Sequence, residues 1–353
     1  MPPPLERGPL FSLLEYAPDY IVHALHIPYW IWLAFRYQGL TLPSIADPAI
    51  LVGGIAGESK AGLFALVGPE GRKYFAPFIT VIADVSINEI VGRLGTAGLA
   101  FPLVAKPDIG RNGLGVKIVR TAEELGRHLG LFPPTTRMIL QQYVSAEGEA
   151  GVFYVRRPSE ARGRITSLTL KYFPRVVGDG RVTLRELIER DPRASRIKNI
   201  YFRRNRRELD RVVPVGEPYR LVSVGNHVRG AVFEDGAAQI TEAMTDAFDG
   251  IAKDMREFYF GRFDVRFSHL EDLKRGTGFT ILEYNGASSE PTHVWDRRTS
   301  VVATYRALLE HWRLAFLIGA ENRARGFRPA SLREILKIHY AECDLVDQYP
   351  DEE

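Results

Sequence analysis

Two short alternating runs late in the chain, Arg262-Phe263-Asp264-Val265-Arg266-Phe267 and Ile281-Leu282-Glu283-Tyr284-Asn285, constrain the fold more than any other feature. Successive side chains of an extended strand point to opposite faces. The first run therefore sends Phe263, Val265 and Phe267 one way and Arg262, Asp264 and Arg266 the other, while Glu283 and Asn285 share a face of the second. The segment between them, from Glu271 to Gly278, is polar and ends in Gly-Thr-Gly, so the two runs read as an antiparallel hairpin. With its centre near Leu273–Lys274, Asp264 falls opposite Glu283 and Arg262 opposite Asn285; an irregular loop would move that register by two residues. Carboxylates so close repel unless a cation sits between them. Asp264, Glu283 and Asn285 are the hard oxygen donors that Mg²⁺ takes together with substrate phosphates. The alternative is a solvent-facing strand pair held by Arg–Asp bridges.

A second segment, Phe101 to Val119, supplies the complementary charge. A strand ends at Val104-Ala105-Lys106-Pro107, leaving the Lys106 ammonium at a sheet edge, and Val116 to Val119 forms a second strand. Between them, Gly110-Arg111-Asn112-Gly113-Leu114-Gly115 has the glycines that bring backbone N–H groups close to an anion, and an ordinary hairpin turn uses them equally well. Only 9 of the 46 basic residues are Lys, so a Lys in a strand carries information. Lys171 is one, in Ser167-Leu168-Thr169-Leu170-Lys171-Tyr172, where alternation groups it with Ser167 and Thr169. It is either a surface lysine or a second phosphate-binding cation facing Lys106.

The order of these features, with Gln141-Gln142-Tyr143-Val144 between them, resembles the ATP-grasp superfamily, and most closely the carboxylate–amine ligases of the D-alanine–D-alanine ligase and cyanophycin-synthetase type. Val176 to Ile188 is similar to a stretch of the latter group, and the resemblance spans Phe101 to Trp295. It implies an α+β fold with α/β elements, in which two α+β subdomains grip ATP behind an atypical N-terminal domain. The expected division is 1–98 for that domain, 99–175 and 176–326 for the small and large subdomains, and 327–353 for a C-terminal helix and tail. It also implies roles. Lys106 and Lys171 would contact phosphates and adenine under the loop of Gly110, Asn112, Gly113 and Gly115. Gln141, Gln142 and Val144 would form the hinge at the adenine edge, and Glu149 (or Glu147) would hold the ribose. Asp264, Glu283 and Asn285 would ligate two Mg²⁺, or Mn²⁺ in their place. Arg262 and Lys171 would act in catalysis, Arg262 on the charge developing at the reacting carbonyl. Asn226 to Ala231 resembles a loop near the γ-phosphate, with Ala231 replacing its second glycine; Arg229 belongs to it, and His227 there is a structural or a catalytic group. Ser288, Glu290 and His293 follow the metal triad, where substrate would sit.

The rest of the chain narrows the class. At 353 residues it has length for two or three lobes, and 45 % hydrophobic with 25 % charged content is that of a folded globular protein. A net charge of +3 gives no case for nucleic acid, and a lone Cys343 suits a cytoplasmic chain without disulfides. Tyr20 to Gly39 reads as a helix crowded with Tyr29, Trp30, Trp32, Phe35 and Tyr37. It is a core helix or one lying at a membrane interface, so membrane-peripheral placement stands as an alternative. Ile50-Leu51-Val52 reads as a strand entering a glycine turn before a helix, with Ser59 and Lys60 either capping that helix or holding a substrate anion. The arginines from Arg193 to Arg211 form a solvated insertion or an entrance for an acidic substrate. The activity that the resemblance implies is ligation of a small carboxylate to an amine through an acyl phosphate, releasing ADP and phosphate. A kinase, or an ATP-binding regulator at a membrane, are the alternatives, and a homodimer is compatible with any of them.

Overall fold

The alternation in the late hairpin becomes one edge of a five-stranded antiparallel sheet in the computed structural model, which describes residues 9–12, 14, 15, 17, 22, 24, 26–111, 113–222 and 225–350. The sheet order is β11-β10-β5-β6-β9, with β5 Gly148–Val155, β6 Arg164–Tyr172, β9 Val232–Asp235, β10 Phe260–Phe267 and β11 Phe279–Asn285. Its apolar face, including Val152, Leu168, Leu170, Phe263, Val265 and Phe267, is covered by the amphipathic helix α8, Glu242–Lys253, through Met244, Phe248 and Ile251. Period-2 alternation then forces the polar partners of those residues onto the opposite face, and that face looks into a cleft.

Across the cleft stands a four-stranded antiparallel sheet, β1-β4-β2-β3, built from β1 Phe78–Ile82, β2 Leu103–Pro107, β3 Lys117–Val119 and β4 Arg137–Gln142. Leu103, Ala105, Met138 and Leu140 pack with Ile90 and Leu94 of α4, Ile87–Thr96, and with Leu125 and Leu129 of α5, Ala122–Leu129. Both helices start on a side-chain oxygen, Ser86 accepting from the N–H of Glu89 and Thr121 from that of Glu124. The two α+β subdomains expected from the sequence are therefore present. Their limits differ from 99–175 and 176–326: β1, from the expected N-terminal domain, pairs with β4 residue by residue from Phe78↔Gln141 to Ile82↔Arg137, while β5 and β6 belong to the larger sheet. Long-range pairing, invisible to local periodicity, sets these limits.

Between the helices preceding β1, the chain is pinned to the larger lobe by buried Asp47, which accepts from the N–H groups of Tyr259 and Phe260 at 2.6 and 2.9 Å. Ile50–Val52 is not a strand. Leu51–Gly54 is a 3-10 turn in which Val52 and Gly53 have φ of 42° and 65°. A Cβ on Gly53 would lie 2.6 Å from the carbonyl oxygen of Pro43, so only glycine fits that approach. Of the expected Tyr20–Gly39 helix, the described part is α1, His26–Arg36, with Pro28 in its first turn, where a missing N–H costs no helical hydrogen bond. The hairpin loop also carries a short helix, Leu270–Lys274. C-terminal α11, Leu332–Val346, returns across the cleft mouth; Glu342 accepts from the Gly57 N–H at 3.0 Å and the Tyr349 hydroxyl donates to the Ile109 carbonyl at 3.0 Å.

Candidate active site

The pairing expected from alternation is the one observed: Asp264 lies opposite Glu283 and Arg262 opposite Asn285, with a register shift just beyond, between Asp264 and Val265. The rows continue across the sheet. Arg266 faces Glu149, which faces Lys171; Asp264 faces Gly151, which faces Thr169. Lys171 reaches diagonally over β5 to Asp264, and Gly151 keeps that path open, since a Cβ there would sit 3.4 Å from Asp264 Oδ1 and 3.1 Å from Arg262 Cδ.

The resulting network is dense. Lys171 Nζ donates to Asp264 Oδ1 at 2.7 Å and to Glu149 Oε1 at 3.2 Å, and Arg266 Nε donates to Glu149 Oε2 at 2.9 Å. Arg262 Nε lies 3.3 Å from Asp264 Oδ1, with Nη1 donating to the Glu290 carbonyl at 2.9 Å. From the opposite lobe, Lys106 Nζ lies 3.5 Å from Glu283 Oε2 and 3.4 Å from the Leu282 carbonyl. Gln141 Nε2 donates to that same carbonyl at 3.0 Å, joining the two sheets. Four cations thus face three carboxylates, leaving one positive charge.

Electrostatics follow from this pairing. Burial would raise Asp264, yet Arg262 and Lys171 hold its carboxyl down at about 2. Burial would likewise raise Glu283, and Lys106 and Lys60 bring it below its ordinary value. The two lysines diverge. Burial lowers both, but Asp264 and Glu149 lift Lys171 to a net rise, whereas Glu283 does not restore Lys106. Glu58, which accepts from the Gly286 N–H at 2.7 Å, is pushed up to about 7 by burial.

These groups open on a cleft of about 440 Å³. Of the residues singled out in the sequence, Lys60, Lys106, Gly110, Gly113, Gln141, Gln142, Val144, Glu149, Lys171, Arg262, Asp264, Glu283, Asn285, Ser288 and Glu290 line it. Asn112 lies outside the described residues. The structure does not bring Ser59, Gly115, Arg229 or His293 to the cleft wall. Ser59 caps its helix and donates to Asp108 at 2.7 Å, while His293 Nδ1 lies 2.7 Å from Ser167 Oγ. Gly115 sits where a Cβ would meet the Phe132 ring at 2.8 Å, shaping the loop from behind. Glu147 is exposed and pairs with Arg175 at 2.5 Å. Lys171 is buried, so the surface-lysine alternative fails. Lys60 donates to the carbonyls of Asp108 and Gly110 at 3.4 and 3.3 Å, bracing the glycine loop. Sequence reasoning passed over Arg266 and Glu58. Arg266 carried a signal, because it shares the polar face of β10; Glu58 carried none beyond its place beside Ser59.

The donor set can be tested against a divalent ion. Asp264, Glu283 and Asn285 stand on adjacent strands, and Asn285 Nδ2 is buried without a hydrogen-bond partner. Among the described residues no group of three His, Cys, Asp or Glu is arranged to cage a metal. Two carboxylates and an amide fit Mg²⁺ only as it is held beside phosphates, which complete its oxygen shell.

No protein-family model and no curated protein sequence matches the chain. Solved structures similar to it include a bifunctional glutathione synthetase from Pasteurella multocida (16 % identity, TM-score 0.37, covering 74 % of this chain and 38 % of that one). Two D-alanine–D-alanine ligases are similar as well. The one from Bacillus anthracis, complexed with ATP, has 14 % identity and a TM-score of 0.41 over 76 % of this chain and 68 % of its own. The one from Coxiella burnetii has 8 % identity and a TM-score of 0.42 over 83 % and 64 %. This chain spans well under half of the glutathione synthetase, and the functional reading rests on the cleft itself.

Proposed function

We propose that the chain is an ATP-dependent ligase that joins a small carboxylate to an amine and releases ADP and phosphate. One observation carries this reading: Lys106 from one sheet and Lys171 from the other converge on the Asp264–Glu283 pair, in a hydrogen-bonded network where four cations meet three carboxylates. A triphosphate supplies the missing anion. Apolar Val104, Ile118, Tyr143, Val144 and Leu282 line the same cleft and suit a nucleobase.

In the proposed reaction a substrate carboxylate oxygen attacks the terminal phosphorus and ADP departs. An amine nitrogen then attacks the acyl carbon, loses its proton, and phosphate leaves. Lys106 and Lys171 neutralise the transferred phosphoryl group, and Arg262, anchored to Asp264 and the Glu290 carbonyl, faces the carbonyl oxygen as negative charge grows there. Asp264, Glu283 and Asn285 would hold Mg²⁺, which supplies further charge neutralisation between phosphates. Binding both substrates in one cleft supplies the proximity that acyl transfer needs.

The test is ADP release measured against a panel of carboxylates and amines. Release that requires both substrates, and that Glu283→Gln abolishes, supports the ligase. AMP and pyrophosphate as products reject the acyl-phosphate route. A stable phosphorylated product with no amine requirement reassigns the chain as a kinase, and ATP binding without turnover reassigns it as a regulator.

A further inference from the structure

Helix α1 is apolar around nearly its whole circumference, although one side of it faces solvent. Its inner face is fully used: Leu33 is buried, and the Trp30 ring packs edge-on against Trp312 and Phe316 at centroid distances of 4.7 and 5.0 Å. At about 100° per residue, Ile27, Ile31, Phe35 and Trp32 sweep an outer arc of about 140°. They are 68, 48, 80 and 53 % exposed. A helix hydrophobic all round belongs inside something, so this outer face calls for a cover.

We propose that α1 docks the protein on the surface of a bilayer containing anionic lipids, its axis in the plane of the headgroups. Three observations select this occupant. The exposed stripe presents roughly 500 Å² of side chain, short of the roughly 800 Å² per partner that a stable protein interface takes, whereas a lipid surface sets no such minimum. The stripe is aromatic and aliphatic with Arg36 at its end, and no Asp or Glu occurs from His26 to Thr41. Next to it, Val302 of α10, Val301–Ala324, is 69 % exposed beside Arg306. Arg36 and Arg306 make no ion pair among the described residues; Glu310, the nearest acid on α10, is held by Arg313 at 2.6 Å. Aromatic side chains rimmed by unpaired arginines complement an anionic lipid interface. No helix among the described residues is long and apolar enough to cross a membrane, so the contact is peripheral.

The experiment is flotation of the full chain with phosphatidylcholine vesicles, with and without phosphatidylserine. The proposal expects flotation with the anionic vesicles, lowered about tenfold or more in Ile31→Ser/Phe35→Ser and lowered selectively on anionic vesicles in Arg36→Glu. Vesicle binding also shifts Trp emission to shorter wavelength, a shift that Trp32→Phe diminishes. All these positions are surface ones, so unchanged melting temperatures are expected, and ADP release in solution reads separately on the cleft. Absence of flotation by the parent chain, or equal flotation of the double variant, overturns the proposal. So does a dimer in solution that Ile31→Ser/Phe35→Ser converts to monomer without any vesicle binding, because the cover is then a second copy.

Discussion

Replacing Asp264 by Asn removes one buried negative charge while preserving size and shape, and the structure sets the cost. In the folded chain Asp264 is held at about 2 against an ordinary value of 3.8, burial opposing and Arg262 and Lys171 prevailing. A group lowered on folding stabilises the fold above its unfolded value, and that contribution disappears as pH falls through its folded value. A shift of that size corresponds to a few kcal/mol, on the order of 2–3, fully present at pH 7. The substitution also leaves Lys171 with only Glu149 and Arg262 without its carboxylate partner, and breaking a buried pair this way costs about 3–5 kcal/mol. Equilibrium denaturation is therefore expected to show a loss of about 2–5 kcal/mol, constant from pH 8 to pH 5. Sodium tripolyphosphate without metal then separates stability from function. On the proposed reading it is expected to stabilise the parent chain, and to stabilise Asp264→Asn more, because the network there has gained one uncompensated positive charge. If the chain is the proposed ligase, ADP release in the variant is expected to fall by about a hundredfold or more. A variant as stable as its parent at pH 7, or a parent indifferent to tripolyphosphate, refutes the reading of the cleft as a phosphate site held in charge balance.

Two further outcomes follow from the same geometry. Burial raises Glu58 to about 7, so its charge opposes folding above that pH and has no effect below its unfolded value; Glu58→Gln should gain stability over the parent at pH 8, and a gain that does not narrow by pH 5 would refute this. Lys106→Met should keep the fold but weaken ATP binding about tenfold or more by titration calorimetry, and unchanged affinity would remove Lys106 from the phosphate site.

The hairpin could be read from residues alone because β10 and β11 each have one buried and one polar face, and a period of two fixes both register and orientation. Alternation likewise grouped Lys171, Arg262, Asp264 and Glu283 on polar faces, whereas Lys106 stood out by its place at a strand end beside the glycine loop, in a strand buried almost throughout. Strand β5 was harder to place. Gly148 to Val155 is buried throughout, so it shows no alternation, and nothing local says that Glu149 will stand between Lys171 and Arg266. Ile50–Val52 reads as a strand because Ile-Leu-Val has high strand propensity, and the glycine turn expected after it begins earlier, at Val52, where close packing of Gly53 on the Pro43 carbonyl fixes a left-handed backbone. Likewise β1 joins the smaller sheet through partners about sixty residues away, beyond any window of local pattern.

The opposite shifts of the two lysines divide their labour. Lys171 is fixed by two carboxylates of its own sheet, so it is oriented and charged whether or not a ligand is present. Lys106 comes from the facing sheet, meets Glu283 only at 3.5 Å, and is lowered by burial that Glu283 and Asp264 offset only in part. On the proposed reading, an arriving phosphate would gain more from Lys106 than from Lys171, and Lys106 more from the phosphate. The Leu282 carbonyl, shared by Lys106 and Gln141, is where the lobes already touch. On the proposed reading, a nucleotide that pulls Lys106 toward itself would work on that contact and link its binding to the relative position of the two sheets.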